Sequence, residues 1–132
     1  MKYISFMICM AAICSHTFSQ GYMNNWFFGD YGGVNFSTGS PTYQFSPMRS
    51  LEANASVSDS LGNLLFYTNG VAIWDKYHNK MPNGDSLEIA QQLGLPAGGG
   101  SSVTQGVIIL PMPGSSEQYY VFYLKKAVDF YN

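Results

Sequence analysis

Apolar residues come in short bursts separated by Gly, Pro, Asn and Asp, and no stretch sustains the spacing of a long amphipathic helix. Ala55-Ser56-Val57-Ser58 alternates apolar and polar positions, as a strand does when one face is covered and the other is wet. Leu64 to Thr68 (LLFYT) is a continuous apolar run and predicts a strand buried on both faces. Asn25 to Gly29 and Gly33 to Phe36 read as two brief strands separated by Asp30-Tyr31-Gly32. Between Val57 and Leu64, the segment Asp59-Ser60-Leu61-Gly62-Asn63 predicts a hairpin turn in which Gly62 supplies positive φ. Asn69-Gly70, followed by Val71 to Trp74, predicts a two-residue type I′ turn, because both residues tolerate the positive φ it requires. The two hairpins make a three-stranded meander from Ala55 to Trp74. A third hairpin pairs Val107 to Leu110 with Tyr119 to Leu124, across a loop holding Pro111 and Pro113. The one helical expectation is Ser86 to Leu93, two turns with Ser86 as N-cap, stopped by Gly94 and Pro96. Leu93 to Ser102 reads as a low-complexity connector.

The two strand-rich stretches share a plan of apolar strand, turn and aromatic-rich strand. They lie about fifty residues apart, a period compatible with propeller blades of the WD40-like kind, which run to roughly 40–50 residues. Three segments carry a further likeness. They are Asn24-Asn25-Trp26-Phe27-Phe28-Gly29 with Gly33-Val34-Asn35-Phe36; the block from Ala55 to Asp75 with its core Gly62-Asn63-Leu64-Leu65-Phe66-Tyr67-Thr68-Asn69-Gly70; and His78 with Met81-Pro82-Asn83-Gly84, then Thr104-Gln105 and Val107 to Pro111. This series resembles the N-terminal region of large secreted surface proteins of Bacteroidetes-type bacteria, which are associated with gliding motility and type IX secretion. The resemblance runs from about Asn24 to Leu124. It implies an all-β fold of antiparallel meanders and hairpins, about two propeller-like blades of an incomplete propeller. A closed propeller needs at least four blades, or roughly 160 residues. Residues 20–132 are therefore expected to be a propeller-like β domain that is part of something longer.

The N-terminus has a different character. Met1-Lys2 is followed by an apolar run from Tyr3 to Cys14 and by the short polar stretch Ser15 to Ser19. This is the layout of a cleaved signal peptide over residues 1–19, with the cut expected between Ser19 and Gln20. The run falls short of the roughly 20 apolar residues that span a bilayer. Secretion or display at the cell surface follows as the expected localisation, with no transmembrane segment in the mature chain. Cleavage would remove both cysteines (Cys9 and Cys14) and His16, leaving His78 as the one histidine. Disulfides, a Cys nucleophile and Cys/His zinc sites then drop out.

Composition narrows the function classes. Of 132 residues 46% are apolar and 16% aromatic but only 11% are charged, with a formal net charge of −2. So weak a charge of that sign gives no basic face for phosphates, and no nucleic-acid partner is expected. A disordered chain would be poorer in aromatics and richer in charge.

Candidate chemistry is sparse. Gly84-Asp85-Ser86-Leu87 spells the letters of the GDSL esterase motif, but a turn rather than an apolar strand precedes it, and His78 lies upstream of the serine. Asp59 with Gly62 is similar to the Asp-box turn of sialidase-type propellers, with the spacing one residue too long. Gly98-Gly99-Gly100-Ser101-Ser102 lacks the lysine of a phosphate loop. Asp59-Ser60-Leu61 and Asp85-Ser86-Leu87 fit a short O-glycosylation acceptor pattern at Ser60 and Ser86. The remaining cluster is Trp74, Asp75, Tyr77 and His78. Its rings offer stacking faces for a sugar and its His-Asp pair an orienting group; the alternative is a blade edge with Trp in the core and His bonded to a turn. The expectation is a non-catalytic interaction or adhesion scaffold with no cofactor, no metal and no catalytic residue. Its partners would be surface glycans or other extracellular proteins. The alternatives are part of a glycan-acting propeller hydrolase and a chain with no independent function.

Overall fold

The computed structural model describes residues 21–85, 87 and 103–124. The expected signal peptide, the helix expected from Ser86 to Leu93 and the glycine-rich run at 98–102 lie outside the described residues. A 3-10 turn, Gly21–Met23, leads into eight strands: β1 (Asn25–Phe28), β2 (Asp30–Asn35), β3 (Thr42–Arg49), β4 (Ala55–Ser58), β5 (Leu64–Thr68), β6 (Ile73–Asp75), β7 (Val107–Pro111) and β8 (Tyr119–Tyr123). They form three separate antiparallel sheets, ordered β1-β2-β3, β4-β5-β6 and β7-β8. The first strands of the sheets meet, β1 against β4 and β4 against β7. The sheets are open, and the fold is all-β in the manner of an incomplete propeller. An isolated pairing of Trp74 with Lys80 extends the second sheet past β6.

The core is aromatic and lies between the first two sheets. Phe27 of β1 stacks on Tyr67 of β5 with ring centroids 4.2 Å apart. Tyr67 in turn lies nearly parallel to Trp74 of β6, at 5.7 Å and 10°. Met48, Ala72 and the half-buried Leu64 close this cluster. Such ring pairs add about 0.5–1.5 kcal/mol each beyond the area they bury. Gly33 permits the arrangement: it pairs with Phe27 across β1 and β2, and a Cβ there would stand 2.7 Å from the Phe27 ring.

The same interface carries a polar clamp. Asn25 is 3% exposed, yet its amide is fully engaged. Nδ2 donates to Ser58 Oγ and to the Gly62 carbonyl, both at 2.9 Å, while Oδ1 accepts from Asn35 Nδ2 at 2.7 Å and Gln44 Nε2 at 3.1 Å. Ser56 Oγ donates to the Asn25 carbonyl. On the other side of the cluster, Asn69 Nδ2 donates 2.8 Å to the Arg49 carbonyl of β3. Each bond joins one sheet to the next, except the two from Asn35 and Gln44 that hold the Asn25 amide in place.

Several local expectations hold. Gly62 has φ of 90° in the β4–β5 turn, and the ladder slips one residue between Val57 and Ser58. The β7–β8 hairpin forms as expected, with Pro111 adding a final pair opposite Tyr119. Others are corrected. The Asn69-Gly70 connection is a four-residue loop rather than a two-residue type I′ turn, because the last ladder pair is Thr68 with Ile73 and of the two only Gly70 has positive φ. The cause is the Asn69 side chain, whose Oδ1 accepts from the amides of Val71 and Ala72 at 3.0 and 2.9 Å. β6 accordingly starts at Ile73. β5 is fully buried only at Tyr67 and Thr68, its first three residues being half-buried. β3 lies outside the strands the sequence pattern predicts; it completes a three-stranded N-terminal sheet, one of three sheets among the described residues.

Truncating Phe27 removes a ring from the middle of the stack, and Phe→Ala changes in cores cost about 3–5 kcal/mol. A small domain holds about 5–15 kcal/mol in total. Phe27→Ala is therefore expected to lose most of the cooperative urea transition, while Phe28→Ala, on the exposed face of the same strand, leaves the midpoint nearly unchanged.

Candidate functional site

Trp74, Asp75, Tyr77 and His78 do come together, but in different roles. Trp74 is buried in the core. Asp75 closes the turn after β6: its Oδ1 accepts from the amides of Tyr77 at 2.8 Å and Asn79 at 2.9 Å. His78 takes a left-handed φ of 67°, which a branched or bulky side chain rarely adopts. Its Nδ1 lies 2.9 Å from the Tyr67 hydroxyl, and its ring meets Phe27 edge-on at 6.0 Å. Ser46 Oγ donates to the same hydroxyl at 3.4 Å, so one oxygen ties Tyr67 to both β3 and the His78 turn. Burial raises the Tyr67 pKa above the ordinary phenol value, so the hydroxyl stays protonated. Tyr77 is different: it is 71% exposed, with Lys76 Nζ 5.2 Å from its ring centroid.

The turn that holds these residues has a twin. In Asp59-Ser60-Leu61-Gly62-Asn63, Asp59 Oδ1 accepts from the amides of Leu61 and Asn63, both at 2.9 Å. In both turns the aspartate amide donates 2.9 Å to the asparagine carbonyl, and the fourth residue donates 3.0 Å back to the aspartate carbonyl. The fourth residue is left-handed in both, Gly62 in one and His78 in the other. Asp59 also accepts from Asn63 Nδ2 at 2.8 Å, and these bonds hold its carboxyl below the usual carboxylate range.

Two grooves flank this framework. The first lies where β1, β4 and β7 meet and has a volume of about 300 Å³. Trp26, Phe28, Ala55 and Ile108 line it, and no charged side chain does. Trp26 Nε1 donates 2.7 Å to the Met23 carbonyl and its ring meets Phe36 edge-on at 5.3 Å, so the indole is held in place while 48% exposed. The second groove, about 530 Å³, lies between the twin turns and the end of the first sheet; Asn35, Ser37, Asp59, Asn63, Lys76 and Tyr77 line it.

The remaining motifs resolve as turns. Gly84 ends a Met81–Gly84 turn, its amide donating 2.9 Å to the Met81 carbonyl, and Asp85 pairs with Lys80 at 2.9 Å. The GDSL letters therefore follow a turn; Ser86 lies outside the described residues. Among the described residues no group of three His, Asp or Glu side chains stands where it could hold a metal ion. Among them, too, no helix is long and apolar enough to cross a membrane. Comparison with protein-family models, curated proteins and solved structures finds no significant match to this chain.

The twin turns make two expectations measurable. Replacing His78 by Gly or Ala removes the Tyr67 bond in either case, but only Ala keeps a Cβ at positive φ. His78→Ala is expected to be less stable than His78→Gly by about 1 kcal/mol in urea denaturation. For Asp59 the native pKa lies below the unfolded one, so its stabilisation is present above the unfolded value and fades as pH falls through the native value. Asp59→Asn should lower Tm at pH 7, with the gap to the parent closing at the acid end of the carboxylate range.

Proposed function

We propose that the chain is a non-catalytic interaction scaffold, secreted or displayed at a cell surface, that contacts glycans or other extracellular proteins. The observation that carries this reading is the groove at the β1, β4 and β7 junction, where Trp26 is fixed by its own hydrogen bond yet half exposed. Exposed, rigid aromatic side chains beside apolar strand residues mark contact surfaces. The β7–β8 hairpin adds to this, with Ile108, Leu110, Tyr120 and Phe122 all exposed. Export is supported by the leader-like segment at residues 1–19, and surface display by the likeness to secreted Bacteroidetes-type proteins. The carboxylates Asp30, Asp59, Asp75 and Asp85 support a scaffold because each already serves an ion pair or a turn.

Two assays on the full chain test the reading. Against nitrophenyl esters and nitrophenyl glycosides, no turnover above buffer is expected; turnover abolished by Asp59→Ala or Ser86→Ala would contradict it. Retention on isolated cell-surface polysaccharide and protein fractions is expected to fall severalfold in Trp26→Ala, and retention by neither parent nor variant would equally contradict it.

A further inference from the structure

We propose that the groove between the twin turns is a binding site for a neutral glycan, an inference that rests on the scaffold reading and names its ligand class. Sugar rings present flat C–H faces and a rim of hydroxyls, so their sites combine an open aromatic ring with planar amides and hydroxyls. This groove holds that combination. Tyr77 offers the ring, 71% exposed at the tip of a turn whose backbone is locked by Asp75. Asn63 spends its Nδ2 on Asp59, and its Oδ1 has no bonded partner among the described residues, leaving an acceptor for a sugar hydroxyl. Lys76 Nζ forms no ion pair among the described residues and lies in the same groove, as a donor. Ser37 contributes a hydroxyl whose oxygen accepts from Asn24 Nδ2 at 3.3 Å.

The charge balance argues for a neutral ligand. One cation, Lys76, and one anion, Asp59, line the groove together, so neither an isolated anion nor a cation is favoured there. A metal ion is further disfavoured because both carboxylate oxygens of Asp59 already accept N–H donors. Two of its walls are copies of one turn, and they differ at the positions that matter for a ligand. Ser60-Leu61 in the first becomes Lys76-Tyr77 in the second, which puts a donor and a stacking ring on one side only.

The test is saturation-transfer difference NMR on the full chain with hexasaccharides of glucose, mannose, xylose and N-acetylglucosamine. Transfer to ring C–H protons from at least one of them is expected, weakened roughly tenfold in affinity by Tyr77→Ala and less by Lys76→Gln. Tyr43→Ala, an exposed tyrosine on the far face of the first sheet, should bind as the parent does. Transfer that survives Tyr77→Ala but is lost in Trp26→Ala would overturn the assignment to this groove while keeping the scaffold function. Absence of transfer from every sugar, with retention on the surface-protein fraction, would overturn the glycan class and likewise leave the scaffold standing. Hydrolysis of a hexasaccharide would overturn both.

Discussion

The structure depends on one short strand facing two ways. β1 is four residues long, and its two inward positions, Asn25 and Phe27, make the contacts that join the first sheet to the second. Phe27 supplies dispersion and area through the Tyr67–Trp74 stack, and Asn25 supplies direction through a fully satisfied amide. The pair is complementary in physical terms. Apolar burial is strong but tolerant of sliding, whereas a buried amide with four fixed partners admits one register, since any shift would leave desolvated donors unpaired. The outward positions of the same strand, Trp26 and Phe28, then fall at the groove where three sheets meet. Register therefore links core packing to surface chemistry within four residues.

The twin aspartate turns extend that logic to the edge of the second sheet. Each fixes its loop with side-chain oxygens, so a small sheet gains rigid ends without a helix or disulfide. Where the first turn uses Gly62 for its left-handed residue, the second uses His78 and offsets the backbone strain by bonding the imidazole to Tyr67 in the core. The conformation of an exposed turn is thereby tied to the aromatic stack, and Tyr77 is carried on a support anchored at its base.

Much of this was readable along the chain. Strands β4, β5, β7 and β8 announce themselves by alternation or by apolar runs, and Gly62 marks its turn because glycine takes positive φ at the least cost. What escaped did so for physical reasons. β3 carries Pro47 and buries Ser46 and Met48, with Ser50 buried just past its end, while exposing Tyr43 and Phe45, an inversion of the usual pattern. Ser46 and Ser50 go inside because bonds to Tyr67, Met48 and Ala53 await them there. Asn69 looks like a backbone turn former, but its side chain, bonded to the Val71 and Ala72 amides, shapes the loop. In the Trp74–His78 cluster, residue type alone could not separate a core tryptophan and a turn aspartate from a tyrosine left open to solvent. The Trp26 groove was invisible for a related reason: in Asn-Trp-Phe-Phe only the register reveals which ring faces inward.

The surface reading follows from that division of labour. Inward side chains of the first two sheets are saturated with partners, so rigid aromatic groups held at the periphery are what remains for contact with other molecules. All of this requires that the first two sheets behave as one body. Native-state hydrogen exchange at the Val34 amide in β2 and the Phe66 amide in β5 measures that directly, one reporter in the middle strand of each sheet. Opening free energies that agree within about 0.5 kcal/mol are predicted, as for a single cooperative unit. Exchange at Val34 through a separate opening, several kcal/mol easier than at Phe66, would show that Asn25 and Phe27 do not couple the sheets.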